Sequence, residues 1–392
     1  MEFGRYLSEK ESYKIRLRDY ENLYVNLGGI QMLYKEFKKG INLGGWLSQY
    51  DCLPKPPKTQ QELEEHLYTF LTKKDLEQIS KWGFDHIRLP VSGYLLYNKE
   101  GRLLNKLPFH FIHQCISWCK ELHLNIVLDI HDFWGNVYGA MDKPMPLLTD
   151  SELKQHFFSL WELLSEHLKG SRDIIIMFEL LNEVSDASGH LWNRLWQETV
   201  QKIRRIDTKR WILVGSNGQN SVSYLPQLDI TQDPNVFYNF HFYTPLSFTH
   251  QRAHFSEDMR EFNQTISYPG DLSIFGHYLR HHPQFQDKHA LTANETENDK
   301  NLMERLLRDA ERFALSCRTG LYCGEFGVIN TAPPQDGARW ISDLVHLLEQ
   351  NKIGHALWNY KSLDFGLLDQ KGHIVSEELV SKICDLNQNE GN

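Results

Sequence analysis

Residues 124–130 read Leu-Asn-Ile-Val-Leu-Asp-Ile, residues 151–168 read Ser-Glu-Leu-Lys-Gln-His-Phe-Phe-Ser-Leu-Trp-Glu-Leu-Leu-Ser-Glu-His-Leu, and residues 174–180 read Ile-Ile-Ile-Met-Phe-Glu-Leu. The outer two are short apolar runs rich in β-branched residues, the length of buried strands. The middle one places Leu153, Phe157, Leu160, Leu163, Leu164 and Leu168 on one face at helical spacing, with Asp150 and Ser151 as candidate N-caps. A strand, a helix long enough to cross back and a second strand make neighbours that run parallel.

The same alternation recurs from residue 40 onward. Strand-like runs fall at 40–47, 85–91, 124–130, 174–180, 211–215, 236–242, 320–326 and 355–360, and helical periodicity at 73–82, 106–122, 151–168, 190–205, 300–316, 336–351 and 375–386. Eight strands is the number at which a parallel sheet closes, so the predicted fold class is α/β, a (β/α)8 TIM barrel. A doubly wound open sheet is the alternative, disfavoured because no Gly-x-Gly-x-x-Gly opens a helix after the first strand. Two regions depart from the repeat. Residues 1–39 form an extension whose runs 23–27 and 30–34 flank Gly28-Gly29 and predict a hairpin closing the bottom of the barrel. Residues 249–298, after the sixth strand, predict a helical insert on the catalytic face, within a barrel domain spanning 40–392. Its His281, His282 and His289 read as solvated surface rather than metal ligands.

The 392 residues are 41% hydrophobic and 24% charged, as in a globular protein. Forty-two Lys and Arg against 51 Asp and Glu leave a net charge of −9, which argues against nucleic acid or anionic membrane as partners. No apolar stretch approaches the roughly 18 residues of a spanning helix, and the first residues show no leader, so a cytoplasmic location is expected. Six cysteines without a Cys-x-x-Cys pair read as reduced thiols, with no structural metal and no cofactor expected. No pattern speaks to oligomeric state.

Reactive groups of such a barrel come from the C-terminal ends of its strands. There the chain carries Arg88, Asp129-Ile130-His131-Asp132, Glu179-Leu180-Leu181-Asn182-Glu183, His241-Phe242-Tyr243, Cys323-Gly324-Glu325-Phe326-Gly327 and Trp358-Asn359-Tyr360. Strict alternation in the fourth run would put Glu179 deep in the barrel, paired with Arg88, and Glu183 on the same side at its mouth. Glu325 ends a strand across the ring from Glu183, so two carboxyls converge. Two carboxyls in an aromatic cleft are the requirement for glycoside hydrolysis, one protonating the leaving oxygen and the other attacking the anomeric carbon or activating water. Trp46, Trp134 and Trp358, at or just after strand ends, are candidates to stack on sugar rings.

Asn42-Leu43-Gly44-Gly45-Trp46, Ile87-Arg88-Leu89-Pro90, Asp129-Ile130-His131, Leu181-Asn182-Glu183, His241-Phe242-Tyr243, Gly324-Glu325-Phe326-Gly327 and Trp358-Asn359-Tyr360 occur in the order seen in glycoside hydrolase family 5. The resemblance covers about residues 35–387 and is strongest to the bacterial endoglucanase C type, a cellulase and lichenase with a helical insert after its sixth strand. It implies that Glu183 is the general acid/base and Glu325 the nucleophile of a retaining mechanism. It further implies that Asn182 bonds the sugar 2-hydroxyl and that Arg88 and Tyr243 bracket Glu325, keeping it ionised and aligned. His131 and His241 would hold the substrate and the acid/base, and Trp358 would floor the subsite of cleavage. Asp132 departs from the pattern, since many relatives carry a second His there.

The expected activity is endo-acting hydrolysis of β-1,4 linkages in cellulose-type or mixed-linkage β-1,3-1,4-glucan, so a β-glucan is the expected partner. Within the family a β-mannanase, a xyloglucanase or an exo-β-1,3-glucanase is the alternative. A catalytically silent carbohydrate-binding barrel is the competing class, disfavoured by the presence of both carboxylates.

Overall fold

Eight parallel strands close into a ring in the computed structural model, which describes residues 32–103, 106–136, 145–170, 173–186, 188–317 and 319–388. They are β1 (Lys39–Asn42), β2 (His86–Ser92), β3 (Asn125–Asp132), β4 (Ile176–Glu179), β5 (Trp211–Gly215), β6 (Val236–Phe242), β7 (Leu321–Phe326) and β8 (Gly354–Leu357). Each pairs with its neighbour in sequence, and β1 closes the ring by pairing Ile41 with Ile87 on one side and with Leu357 on the other. The (β/α)8 barrel is therefore as the alternation predicts. The first and last strands are shorter than their apolar runs, because residues beyond Asn42 and Leu357 turn away from the ring into loops at the mouth.

Helices Lys73–Lys81, Leu107–Leu122, Ser151–Leu168, His190–Ile206, Lys300–Ser316, Pro334–Gln350 and Glu377–Gln388 cover the outside. In Ser151–Leu168 the cap is Asp150, whose carboxylate accepts from the amides of Glu152 and Leu153 at 2.8 and 3.1 Å. That helix buries Phe157, Leu160, Trp161, Leu164 and Leu168 against the sheet. A further helix, Gln60–Thr69, precedes Lys73–Lys81 and has no counterpart in the periodicity reading, since Leu67 is its only buried residue. Its start is written in Thr59 and Glu62, which form a capping box.

Two apolar cores result. One lies between the sheet and the outer helices; the other is a small plug inside the ring, made of Val127, Met177, Leu213, Phe237, Tyr322 and Ala356, with Leu33 and Phe37 beneath. Leu33 and Phe37 sit one helical turn apart, the Phe37 amide bonding the Leu33 carbonyl at 2.9 Å. Residues 32–36 are thus helical, which corrects the second strand of the expected hairpin. On a helix the i, i+4 pair stands about 6 Å apart and fills one opening, whereas on a strand the two side chains would share a face about 13 Å apart. The first hairpin strand and its Gly28-Gly29 turn lie outside the described residues.

The insert after β6 contains helices Leu246–Thr249, Glu257–Phe262 and Ser273–His281 and a two-stranded antiparallel sheet of Gly270–Asp271 with Glu297–Asn298. Its interior holds Met259, Phe262, Phe275 and Leu279. Asp258 is buried among donors, receiving Ser256 Oγ, Lys288 Nζ at 2.8 Å and His289 Nε2 at 2.5 Å. His289 is therefore a buried partner of a carboxylate and not solvated surface, whereas His281 stays exposed.

Candidate active site

Inside the ring, polarity rises from the plug toward the mouth. Just above the plug lies Arg88, fully buried, with all five N–H donors engaged. Nε and Nη2 take the two oxygens of Glu179 at 2.6 and 2.9 Å, Nη1 reaches Asn42 Oδ1 at 3.0 Å and Glu325 Oε1 at 2.7 Å, and Nη2 also reaches Asn182 Oδ1 at 2.9 Å. Asp129 Oδ2 stands 3.1 Å from Nη2. Asn239 donates to Glu179 Oε1 at 2.8 Å, completing a layer that joins β1, β2, β3, β4, β6 and β7. Burial opposes the charge on Arg88, but Asp129, Glu179 and Glu325 around it outweigh burial and raise its pKa further.

Regular strand geometry breaks down one level higher, where Glu183 and Glu325 sit. On β7, Cys323 pairs with Phe240 but Glu325 pairs with His241, so Gly324 is an extra residue, a β-bulge. Its amide bonds Asn239 Oδ1 at 2.7 Å and its carbonyl accepts from Asn42 Nδ2 at 3.0 Å, while a Cβ there would meet Asn239 Nδ2 at 2.6 Å. The bulge aims the Glu325 side chain across the mouth. A second shift, between Val91–Ile130 and Ser92–Asp132, makes His131 the extra residue of β3. The fourth strand stops at Glu179, and Glu183 lies beyond it with φ 46°, a left-handed conformation that costs a non-glycine residue of order 1 kcal/mol or more. The expected alternation through Glu183 is thus replaced by a turn, with the Asn182 amide bonding the Ile130 carbonyl at 3.0 Å.

These irregularities bring Glu183 and Glu325 together: oxygens of the two carboxyls, and a nitrogen of His241, all lie within 4.8 Å of one another. Glu325 Oε1 accepts from Arg88 and Oε2 from the Tyr243 hydroxyl at 3.0 Å. Glu183 Oε1 faces His241 Nδ1 at 2.9 Å. Asn220 Nδ2 donates to His241 Nε2 at 3.1 Å, so the imidazole proton sits on Nδ1 and points at Glu183. Burial pushes His241 down to about 4, and it is neutral at pH 7. Burial pushes Glu183 up to about 7, with His131 and Arg88 opposing and Glu179 reinforcing the shift. Burial likewise raises Asp129 to about 7 against the pull of Arg88, and its Oδ1 has no hydrogen-bond partner. The trio Glu183, His241 and Glu325 has the atom types of a cation site, but Arg88, Tyr243 and each other already occupy the inward-facing atoms.

A flat wall stands beside the carboxyls. His131, its Nδ1 held by Asp129 Oδ2 at 2.8 Å, stacks on Trp358 with ring centroids 5.7 Å apart and planes 5° apart. Trp358 in turn packs on Gly44, where a Cβ would meet its ring at 2.7 Å. The assembly can donate and accept protons beside a flat, apolar surface, the chemistry of glycoside hydrolysis. The family profile described as Cellulase (glycosyl hydrolase family 5) matches residues 55–364.

The chain belongs to glycosyl hydrolase family 5.

It is 38% identical over 354 residues to Endoglucanase C of Acetivibrio thermocellus, covering 88% of this chain and 97% of that one. It is 32% identical over 316 residues to Cellodextrinase A of Ruminococcus flavefaciens, covering 80% and 83%. Among solved structures, one titled endoglucanase superposes with a TM-score of 0.70 at 17% identity, covering 91% of this chain and 99% of that one. Thermotoga maritima Cel5A in complex with cellobiose gives 0.66 at 21%, covering 89% and 98%; both likenesses concern the fold. The chain is a glycosidase, and no helix among the described residues is long and apolar enough to cross a membrane.

Of the residues predicted from sequence, the barrel of this family 5 member gathers Arg88, His131, Asn182, Glu183, His241, Tyr243, Glu325 and Trp358 at one mouth. Trp134 lies at its edge, half-buried, edge-on to Tyr94 at 4.6 Å, its indole N–H on the Tyr97 carbonyl at 3.0 Å. Trp46 does not belong. Gly45, with φ 88°, turns the chain outward, and Trp46 is buried beneath helix Gln60–Thr69, its N–H on the Leu67 carbonyl at 2.8 Å and its ring stacked on Trp118. Three contributors escaped the sequence reading. Asn42 and Asn239 share inward faces that strand alternation could have flagged. Asn220 follows Gly218 and Gln219, all three left-handed, in a loop after β5 whose polar end gave no periodic signal.

Proposed function

We propose that this family 5 chain is a retaining endo-β-glucanase acting on β-1,4 linkages of cellulose-type or mixed-linkage β-1,3-1,4-glucan, with Glu325 as nucleophile and Glu183 as acid/base. The observation that supports it most is the approach of the two carboxyls to within 4.8 Å. Direct attack needs about 5–5.5 Å between them, whereas an inverting enzyme leaves about 6.5–9.5 Å for a water.

In the first step a Glu325 oxygen attacks the anomeric carbon as Glu183, holding its proton near neutrality, delivers it to the departing glycosidic oxygen. The leaving chain departs as an alcohol and the sugar remains as an ester of Glu325. Esterification removes a negative charge beside Glu183, which lowers the cost of ionising it. Glu183 then takes a proton from water, the water oxygen attacks the anomeric carbon, and Glu325 leaves as carboxylate. Arg88 and Tyr243 hold both Glu325 oxygens, so the nucleophile enters the step already oriented. His241 donates to Glu183 through Nδ1 and fixes its aim without carrying charge. Asn182, held by Arg88, bonds the sugar 2-hydroxyl in this reading, and Trp358, stacked on His131, faces the sugar ring.

The substrate reading draws on the similarity to proteins named endoglucanase and cellodextrinase. Purified protein and its Glu325→Ala variant, incubated with barley mixed-linkage glucan, carboxymethylcellulose, mannan and laminarin, test it by product mass and chromatography. A ladder of short oligosaccharides from the first two, absent in the variant, is expected. Glucose alone from laminarin, a ladder from mannan alone, or activity surviving in the variant would each overturn it.

A further inference from the structure

Tyr243 carries the donor that faces Glu325 Oε2, yet nothing on β6 holds its ring, because the strand ends at Phe242. What holds it is the start of the insert. Thr249 Oγ1 donates its one proton to the Tyr243 carbonyl, so toward His250 Nδ1, 3.0 Å away, it can only accept. That places the imidazole proton on Nδ1 and fixes the ring orientation. The His250 ring then meets Tyr243 edge-on, centroids 5.1 Å apart at 80°. Phe365 closes a triangle of rings, 5.9 Å from Tyr243 and 5.1 Å from His250, and the exposed Phe255 covers His250 from outside at 6.0 Å.

The segment bearing His250 is itself pinned to the barrel and to the insert. The Ile329 amide bonds the Thr249 carbonyl at 2.9 Å, and Thr331 Oγ1 bonds the Gln251 carbonyl at 2.6 Å. At its far end Lys288 Nζ bonds Ser256 Oγ at 2.7 Å within the buried Asp258 cluster. Burial, reinforced by Lys288, pushes His250 down to about 3, so at working pH it acts through packing and its hydrogen bond to Thr249 and not through charge.

We propose that His250 is a positioning residue for the nucleophilic carboxylate, acting through Tyr243: wedged between Thr249 and Phe365, it holds the phenol at 3.0 Å from Glu325 Oε2. The insert therefore serves the chemical step and is not only a wall of the cleft. This rests on the reading of Glu325 given under Proposed function.

The test is a mutant cycle of His250→Ala, Tyr243→Phe and the double variant, with His250→Phe as a ring-preserving control, read as kcat, KM and melting temperature on soluble mixed-linkage glucan. His250→Ala is expected to lower kcat about tenfold with KM within about twofold, and His250→Phe to restore most of it. In the Tyr243→Phe background His250→Ala is expected to cost nothing further, because the bond it serves is gone. Losses that multiply in the double variant, or a fall in melting temperature with kcat unchanged, would overturn the proposal. So would an unaltered kcat in Tyr243→Phe. A Glu325→Ala variant run alongside separates the two readings, since activity surviving there would instead overturn the assignment of the nucleophile.

Discussion

The two ends of the barrel interior are built from the same eight strands under opposite rules. At the lower end Val127, Met177, Leu213, Phe237, Tyr322 and Ala356 meet over Leu33 and Phe37, every side chain where alternation puts it. At the upper end the register slips at His131 and at Gly324, Glu183 takes a left-handed φ, and one guanidinium faces three acidic side chains. The lower end closes and supports the barrel; the upper end stores strain and buried charge that only packing beneath can hold in place. Stability and reactivity are thus separated along the axis, and substitutions at the two ends should separate in what they change.

The largest effect is expected at the lower end. Phe37→Ala should remove about 3–5 kcal/mol of stability, seen in denaturant melts, while kcat per folded molecule stays at the parent value. An equal loss of kcat would join the two ends that the comparison keeps apart. Gly324→Ala should act the other way: a Cβ against Asn239 must move the bulge, displacing Glu325 and lowering kcat on the order of 10²-fold.

Glu183 sharpens the contrast further, because its burial should cost stability in a pH-dependent way. Its folded pKa of about 7 lies above the ordinary 4.5, so the folded state binds that proton more tightly. The stability this contributes is complete below about pH 4.5 and is lost as pH rises through about 7. Glu183→Gln should therefore melt like the parent at pH 4.5 and gain roughly 1–3 kcal/mol on it at pH 8. The parent's activity should fall above pH 7 as the acid loses its proton. A variant less stable than the parent at pH 8 would contradict the burial argument.

The smallest effect is expected at Trp46. Trp46→Phe should cost about 1 kcal/mol for its lost hydrogen bond and leave KM on every glucan unchanged. A raised KM would return it to the cleft.

The same contrast explains what the sequence disclosed. Period-two and period-3.6 patterns are signals of regular backbone, so the barrel, its outer helices and the Arg88–Glu179 pair were legible from residue spacing alone. Glu183 and Glu325 were legible as carboxyls at strand ends, and the family resemblance assigned their roles. The manner of their meeting was not, because a bulge at Gly324 and a left-handed Glu183 interrupt the periodicity that reading depends on. Trp46 was misplaced for a related reason: Gly45 turns the chain at a single residue, and no pattern around it says in which direction. The run 30–34 predicts a strand because Leu33 and Phe37 are two side chains only, too few to show a helical period.

The proposed mechanism turns on Glu325 and Glu183 standing close enough for direct attack and a covalent intermediate. Proton NMR of a soluble cello-oligosaccharide during the first minutes of hydrolysis, before mutarotation, reads it most directly. The newly formed reducing end is expected to appear first as the β anomer; an α anomer appearing first would mean that water, not Glu325, attacks the glycosidic carbon.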